Sequence, residues 1–76
     1  MVLDGKTLYK IRKVHRLTLE EMALLLGISP TFYHRIEQGR KPLPGSRAQA
    51  LIEKLELEPE KLAEIEDIYE RFSVNV

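Results

Sequence analysis

The sequence predicts an all-α fold, a compact bundle of about five short helices. Apolar residues recur at spacings of three and four along most of the chain, the period of a helix with one buried face. Helix-starting and helix-stopping residue types separate these segments. Because 76 residues hold one hydrophobic core, we expect residues 1–76 to form a single domain. The predicted helices span about residues 5–15, 19–26, 30–38, 46–56 and 59–71.

The first helix begins after Asp4, a favourable N-cap residue, and places Leu8 and Ile11 on one face. Most basic residues on its other faces serve solubility, but the last turn carries a cluster that we expect within reach of a phosphate strand. This cluster is Arg12, Lys13 and Arg16.

The second and third helices have the clearest boundary signals. Thr18 and Glu21 have the spacing of a capping box, and Gly27 is the residue type that best closes a helix in the left-handed conformation. Ser29 and Pro30 then suit the N-cap and first position of the next helix. Two short helices joined by a three-residue turn form a helix-turn-helix, an arrangement that presents one exposed helix to the major groove of DNA.

The apolar residues of the second helix cover more than one face, so we expect Leu24 and Leu25 to widen its buried stripe. The third helix ends at Gly39 and is predicted to bury Tyr33 and Ile36. Its outward face then carries Thr31, His34 and Arg35, with Gln38 one turn beyond.

Side chains on this outward face have the chemistry for reading base edges. An Arg such as Arg35 can donate two hydrogen bonds to guanine, and Thr31 offers a hydroxyl and a methyl group. Ser29 and the free N–H groups of the first turn are predicted to bind a backbone phosphate. Arg40 and Lys41 follow directly and are expected to contact the flanking phosphate strand.

The fourth helix is predicted to start at Ser46, acting as N-cap, with Gln49 at the capping-box position. Its N-terminus, with Arg47 beside it, is a second predicted phosphate site. The loop before it, residues 40–45, is too rich in proline for regular structure.

The fifth helix begins at Pro59 and is acidic on its outer faces. This helix can close the core of the monomer, pair with a second copy, or do both, and we expect both: Leu62 and Ile65 pack inward, while the large apolar residues near its end are hard to cover without association. Residues 59–76 are therefore predicted to form a dimerisation helix and tail, with 73–76 frayed or in a short extended segment. The residues predicted to mediate dimerisation are Ile68, Tyr69 and Phe72.

The charge distribution favours a nucleic-acid partner although the formal net charge is zero. Residues 1–50 carry nine Lys and Arg against four Asp and Glu, whereas residues 51–76 carry three against eight. The chain has no cysteine, no apolar run long enough to span a membrane and no signal-peptide pattern, so we expect a cytoplasmic protein without membrane association.

Residues from about 8 to 62 resemble the lambda-repressor-like (Cro/repressor, Xre-type) helix-turn-helix proteins of bacteria and phages. The matching residues are Arg12, Thr18 to Glu21, Met22, Ala23, Leu26 to Ser29, Arg35 to Glu37, Gly39 and Arg40. The resemblance implies sequence-specific binding to double-stranded DNA, usually as a two-fold homodimer that represses or autoregulates a promoter.

In such proteins the positions matching Ser29, Pro30, Thr31, Phe32 and Arg35 commonly face DNA. Pro30 stands where many relatives carry a polar base-reading residue. Tyr33 stands where relatives carry a smaller apolar residue, which would shift the helix or let the hydroxyl reach a phosphate. The resemblance assigns Glu37 a structural role, pairing with Arg12. The complete set of predicted DNA-contacting residues is Thr18, Ser29, Pro30, Thr31, Phe32, His34, Arg35, Gln38, Arg40, Lys41, Ser46 and Arg47.

The sequence supports two other function classes to different degrees. An enzyme is disfavoured because the chain has two histidines nineteen residues apart, no cysteine and no glycine-rich phosphate loop; no metal or other cofactor is implied. The alternative that stays open is a protein-interaction module, such as an antitoxin or regulatory subunit, whose acidic C-terminal helix binds a protein partner.

Overall fold

The computed structural model describes residues 3–72 as five helices, so the predicted all-α bundle is confirmed. The described part measures 30 × 25 × 19 Å and contains no strand. Each observed helix lies within one or two residues of its predicted range. The helices are α1 (Gly5–Val14), α2 (Leu19–Leu26), α3 (Pro30–Glu37), α4 (Gly45–Leu55) and α5 (Pro59–Phe72). The predicted tail, residues 73–76, lies outside the described residues.

The five described helices pack in series around one core, in the order α4, α2, α3, α1, α5. α2 packs against α3 and α4, while α1 packs against α5 and α3, so α3 is held from two sides. Tyr33 is the largest fully buried side chain and lies at the centre of this arrangement. The buried apolar side chains are Leu3, Leu8, Ile11, Met22, Ala23, Leu26, Tyr33, Ile36, Leu51, Leu57 and Ile65.

Two sequence predictions, one about the buried face of α2 and one about the start of α4, are wrong. Leu24 is 80% exposed, because α2 packs on α3 and α4 and the face that carries Leu24 is turned to solvent. Ser46 does not cap α4: the helix begins one residue earlier, at Gly45, without a side-chain cap. The carbonyl of Pro44 accepts the N–H groups of Arg47 and Ala48 instead, each at 3.0 Å.

Four helix ends use the left-handed backbone conformation. Gly27 (φ 71°) and Gly39 (φ 80°) end α2 and α3, as their sequence positions predict. Arg16 (φ 55°) and Glu56 (φ 53°) end α1 and α4 in the same way. A side chain in this conformation costs about 1 kcal/mol relative to glycine, so both ends are slightly strained.

α1 approaches the end of α3 so closely that only glycine fits at position 5. A Cβ atom on Gly5 would lie 2.5 Å from the backbone carbonyl oxygens of both Ile36 and Glu37. The close approach sets the distance between the start of α1 and the last turn of α3.

Candidate nucleic-acid interface

The predicted capping box at the start of α2 is confirmed. The Thr18 hydroxyl accepts the Glu21 N–H at 3.1 Å, and the Glu21 carboxylate accepts the Thr18 N–H at 2.9 Å. Thr18 is exposed, so it stays available at the surface although its hydroxyl oxygen already accepts one hydrogen bond.

α3 begins as predicted, with Ser29 as N-cap and Pro30 in the first turn. The Ser29 hydroxyl accepts the Phe32 N–H at 3.1 Å, and the Ser29 carbonyl accepts the Tyr33 N–H at 2.9 Å. Pro30 has no N–H, so the amide of Thr31 is left as the donor of this turn that a phosphate can use. The anion site is therefore smaller than the sequence suggested.

The outward face of α3 is polar and exposed. Tyr33 and Ile36 are buried at 0% and 2% exposure, which turns the opposite side of the helix to solvent. Phe32 is half-buried at the edge of the core. The predicted contact residues on the exposed side are Pro30, Thr31, His34, Arg35 and Gln38.

A hydrogen-bonded cluster beneath this face fixes α3 to α1. Arg12 donates from Nε and Nη2 to the two carboxylate oxygens of Glu37, each at 2.9 Å. The Tyr33 hydroxyl donates to Glu37 Oε2 at 2.6 Å. The predicted Arg12–Glu37 pair is therefore confirmed. The Tyr33 hydroxyl is buried inside the domain and does not reach outward, and Arg12 is likewise engaged internally.

The protonation of this cluster follows from its contacts. Burial raises the pKa of Glu37, but the hydrogen bonds from Arg12 and Tyr33 outweigh it and hold that pKa below its ordinary value. The hydrogen bond with Glu37 raises the pKa of Arg12. Burial, reinforced by the anionic Glu37, raises the pKa of the Tyr33 hydroxyl. Glu37 is therefore an anion and Tyr33 a neutral donor at neutral pH.

Basic side chains flank α3 at both ends. Arg40 and Lys41 are exposed immediately after its last turn, and Ser46 is exposed in the first turn of α4. Arg47 reaches back over the turn between α2 and α3, where a Cβ atom on Gly27 would lie 2.8 Å from its Nη1 atom. The fold thus brings Arg47 to the same turn that positions α3.

Lys54 makes a contact between α4 and α2 that the sequence did not predict. Its ammonium group donates to the backbone carbonyl of Leu25 at 2.9 Å, at the C-terminal end of α2. A cation there complements the partial negative charge of the helix end and ties α4 to α2. Nothing in the local sequence signals this contact, because Lys54 and Leu25 are 29 residues apart.

The predicted dimerisation residues lie along α5 beside α1. Tyr69 packs edge-to-face on Tyr9, with ring centroids 6.0 Å apart, so part of its surface is used within the chain. Ile68 is half-buried, whereas Phe72 is 71% exposed. Together with Val14 these side chains line a groove of about 590 Å³ between α1 and α5.

Residues 3–72 contain no group of three or more His, Asp or Glu side chains placed to hold a metal ion. Within the same residues, no helix is both long and apolar enough to cross a lipid bilayer.

A family model described as a helix-turn-helix domain matches residues 5–74, nearly the whole chain. No curated protein and no solved structure matches the chain. The match extends over all five helices and includes the α2–α3 unit whose caps, turn and exposed polar face are described above. The chain therefore belongs to the helix-turn-helix family of DNA-binding domains.

Proposed function

We propose that this protein is a cytoplasmic, sequence-specific transcriptional regulator of the lambda-repressor-like (Xre) type, acting as a repressor or autoregulator. The observation that carries the proposal is the polar outward face of α3 on a helix whose other side is fully buried. A helix anchored in this way can enter the major groove of double-stranded DNA as a rigid element. Arg35 is the side chain we assign to guanine recognition.

The charges around α3 support a duplex partner. Arg47 lies over the turn before α3, and Arg40 and Lys41 follow its end, so cations stand on both sides of the proposed groove contact. Phosphates flank the major groove on both sides, and contacts to them position a protein without reading sequence. We assign the exposed polar side chains of Thr18, Ser29 and Ser46 to the same backbone contacts.

The proposal is tested by measuring duplex affinity against salt, using a site selected from random duplexes. We expect affinity to fall steeply, with a slope of about −0.9 for each phosphate contact. Arg47→Gln should reduce the slope by about one. Arg71→Gln is the matched control, because Arg71 pairs with Asp67 on the exposed side of α5. If the protein binds no duplex even at low salt, the alternative of an antitoxin-like or regulatory protein-interaction module is favoured.

We further propose that the regulator acts as a homodimer through Ile68, Tyr69 and Phe72. The proposal is supported by the exposed Phe72 at the edge of the groove between α1 and α5. Burying an apolar side chain of that size against a second copy removes it from water, which stabilises the dimer. A two-fold dimer would read half-sites about 34–36 Å apart.

Sedimentation tests the dimer. Phe72→Glu should shift the protein towards monomer, whereas Leu24→Glu, at the similarly exposed Leu24 on α2, should not. Identical sedimentation of wild type and Phe72→Glu, both alone and on a two-half-site duplex, would contradict this interface.

A further inference from the structure

The first turn of α3 is less polar than the turn that follows. Pro30 and Thr31 are exposed there and Phe32 is half-buried, so the turn presents a pyrrolidine ring, a methyl group and part of an aromatic ring. Besides Thr31, this turn has one other polar side chain, that of Ser29. Its hydroxyl already accepts the Phe32 N–H at 3.1 Å. The next turn, with His34 and Arg35, carries the charged and hydrogen-bonding groups.

Helix geometry places Thr31 at the front of this apolar surface. Successive residues are about 100° apart around an α-helix. With Tyr33 and Ile36 buried, the Thr31 position points almost directly away from the core, while Pro30 and Phe32 flank it on either side. In a helix-turn-helix, side chains near the N-terminus of the recognition helix meet the base edges.

Thymine is the one base of unmodified DNA that presents a methyl group in the major groove, and apolar atoms of Thr and Phe side chains contact it favourably. Resting on the proposed function, we propose that Thr31 is a specificity-determining residue whose methyl group packs against the C5 methyl of a thymine. Thr31 and Arg35 are one helical turn apart, with Cβ atoms separated by about 5–6 Å, against a rise of about 3.4 Å per base pair. The thymine therefore lies one or two base pairs from the guanine contacted by Arg35.

The experiment replaces each thymine of the selected duplex with deoxyuridine, which removes only the methyl group. We expect one replacement, one or two base pairs from the Arg35-dependent base pair, to weaken binding about fourfold, the effect of burying one methyl-sized group. Thr31→Ser removes the methyl group and should abolish the difference in affinity between the thymine and deoxyuridine duplexes. Thr31→Val keeps a methyl group and should retain that difference. Thr7→Ser, on α1, is the matched control and should also retain it.

The outcomes separate this inference from the proposed function. Failure of the wild type to bind any duplex refutes the proposed function itself. Binding that is indifferent to deoxyuridine at every thymine overturns the methyl contact while leaving DNA recognition intact. If Thr31→Ser keeps the difference and Thr31→Val loses it, the hydroxyl makes the contact and the assignment is likewise wrong. Thermal unfolding of all variants checks that α3 remains folded.

Discussion

Replacing Glu37 with Gln removes one charge from the cluster that joins α3 to α1 and changes little else in shape. The Glu37 carboxylate accepts two hydrogen bonds from Arg12 and one from Tyr33, and the side chains of Arg12 and Glu37 are only 13% and 8% exposed. A glutamine keeps one acceptor oxygen but places its NH₂ group among donors. The buried guanidinium therefore loses its counter-charge.

We expect Glu37→Gln to lower the free energy of unfolding by about 2–3 kcal/mol. The range lies just below the roughly 3–5 kcal/mol for breaking a buried ion pair outright, because the amide retains part of the bonding. A domain of 76 residues has a total stability of about 4–11 kcal/mol, so the loss is a large fraction of it. The expected fall in Tm is about 8–24 °C.

The same change has a defined pH dependence. Because the pKa of Glu37 is lower in the folded protein than its ordinary value of 4.5, the anion contributes stability above that value. That contribution is lost as the pH falls through the lowered, folded-state pKa. The difference between wild type and Glu37→Gln should therefore be full at pH 7 and shrink in strong acid, where the wild-type side chain is protonated too.

Urea unfolding followed by circular dichroism, at pH 7 and at several acidic pH values, measures both effects. Glu64→Gln is the control, since Glu64 is exposed on α5 and its loss should change stability by less than about 0.5 kcal/mol. The double variant Arg12→Met, Glu37→Gln should be more stable than the sum of the two single losses predicts. Equal stabilities of Glu37→Gln and Glu64→Gln would refute the role of the cluster.

Two backbone positions give further predictions. Gly5→Ala should destabilise the fold by about 1–3 kcal/mol, because the added Cβ meets the carbonyls of Ile36 and Glu37. Gly45→Ala, with open space around it, should be neutral or slightly stabilising. Urea unfolding measures both variants, and equal effects would contradict the close approach of α1 to α3. Arg16→Gly should raise the free energy of unfolding by about 1 kcal/mol, because glycine adopts the left-handed conformation without a steric cost, while Arg16→Ala should not raise it. Equal effects of the two substitutions would assign the change to the lost charge instead.

Most features that depend on residues within one helical turn could be predicted from sequence, the Ser46 cap of α4 being the exception. The capping box of Thr18 and Glu21, the N-cap Ser29 and the closing glycines Gly27 and Gly39 are all found where their residue types indicated. A cap or a left-handed helix end is decided by a few neighbouring side chains, so the local sequence contains the necessary information.

Features that depend on how helices approach one another could not be predicted. The exposure of Leu24 depends on which faces of α2 meet α3 and α4, and the burial of Leu57 depends on the course of the connection between α4 and α5. The contact of Lys54 with the Leu25 carbonyl and the close approach at Gly5 join segments about 30 residues apart. The Arg12–Glu37 pair was expected only through a family resemblance, since the spacing of the two residues does not imply it.

The central claim is that the exposed face of α3 reads DNA sequence, and Arg35 tests it most directly. The measurement is the affinity of wild type and Arg35→Ala for the preferred duplex and for every single base-pair substitution of it. We predict that the wild type prefers a G·C pair at one position by about 1–3 kcal/mol and that Arg35→Ala loses this preference there alone. A loss of affinity that is the same for all the duplexes would mean that Arg35 contacts only the backbone, and would contradict the assignment of α3 as the reading helix.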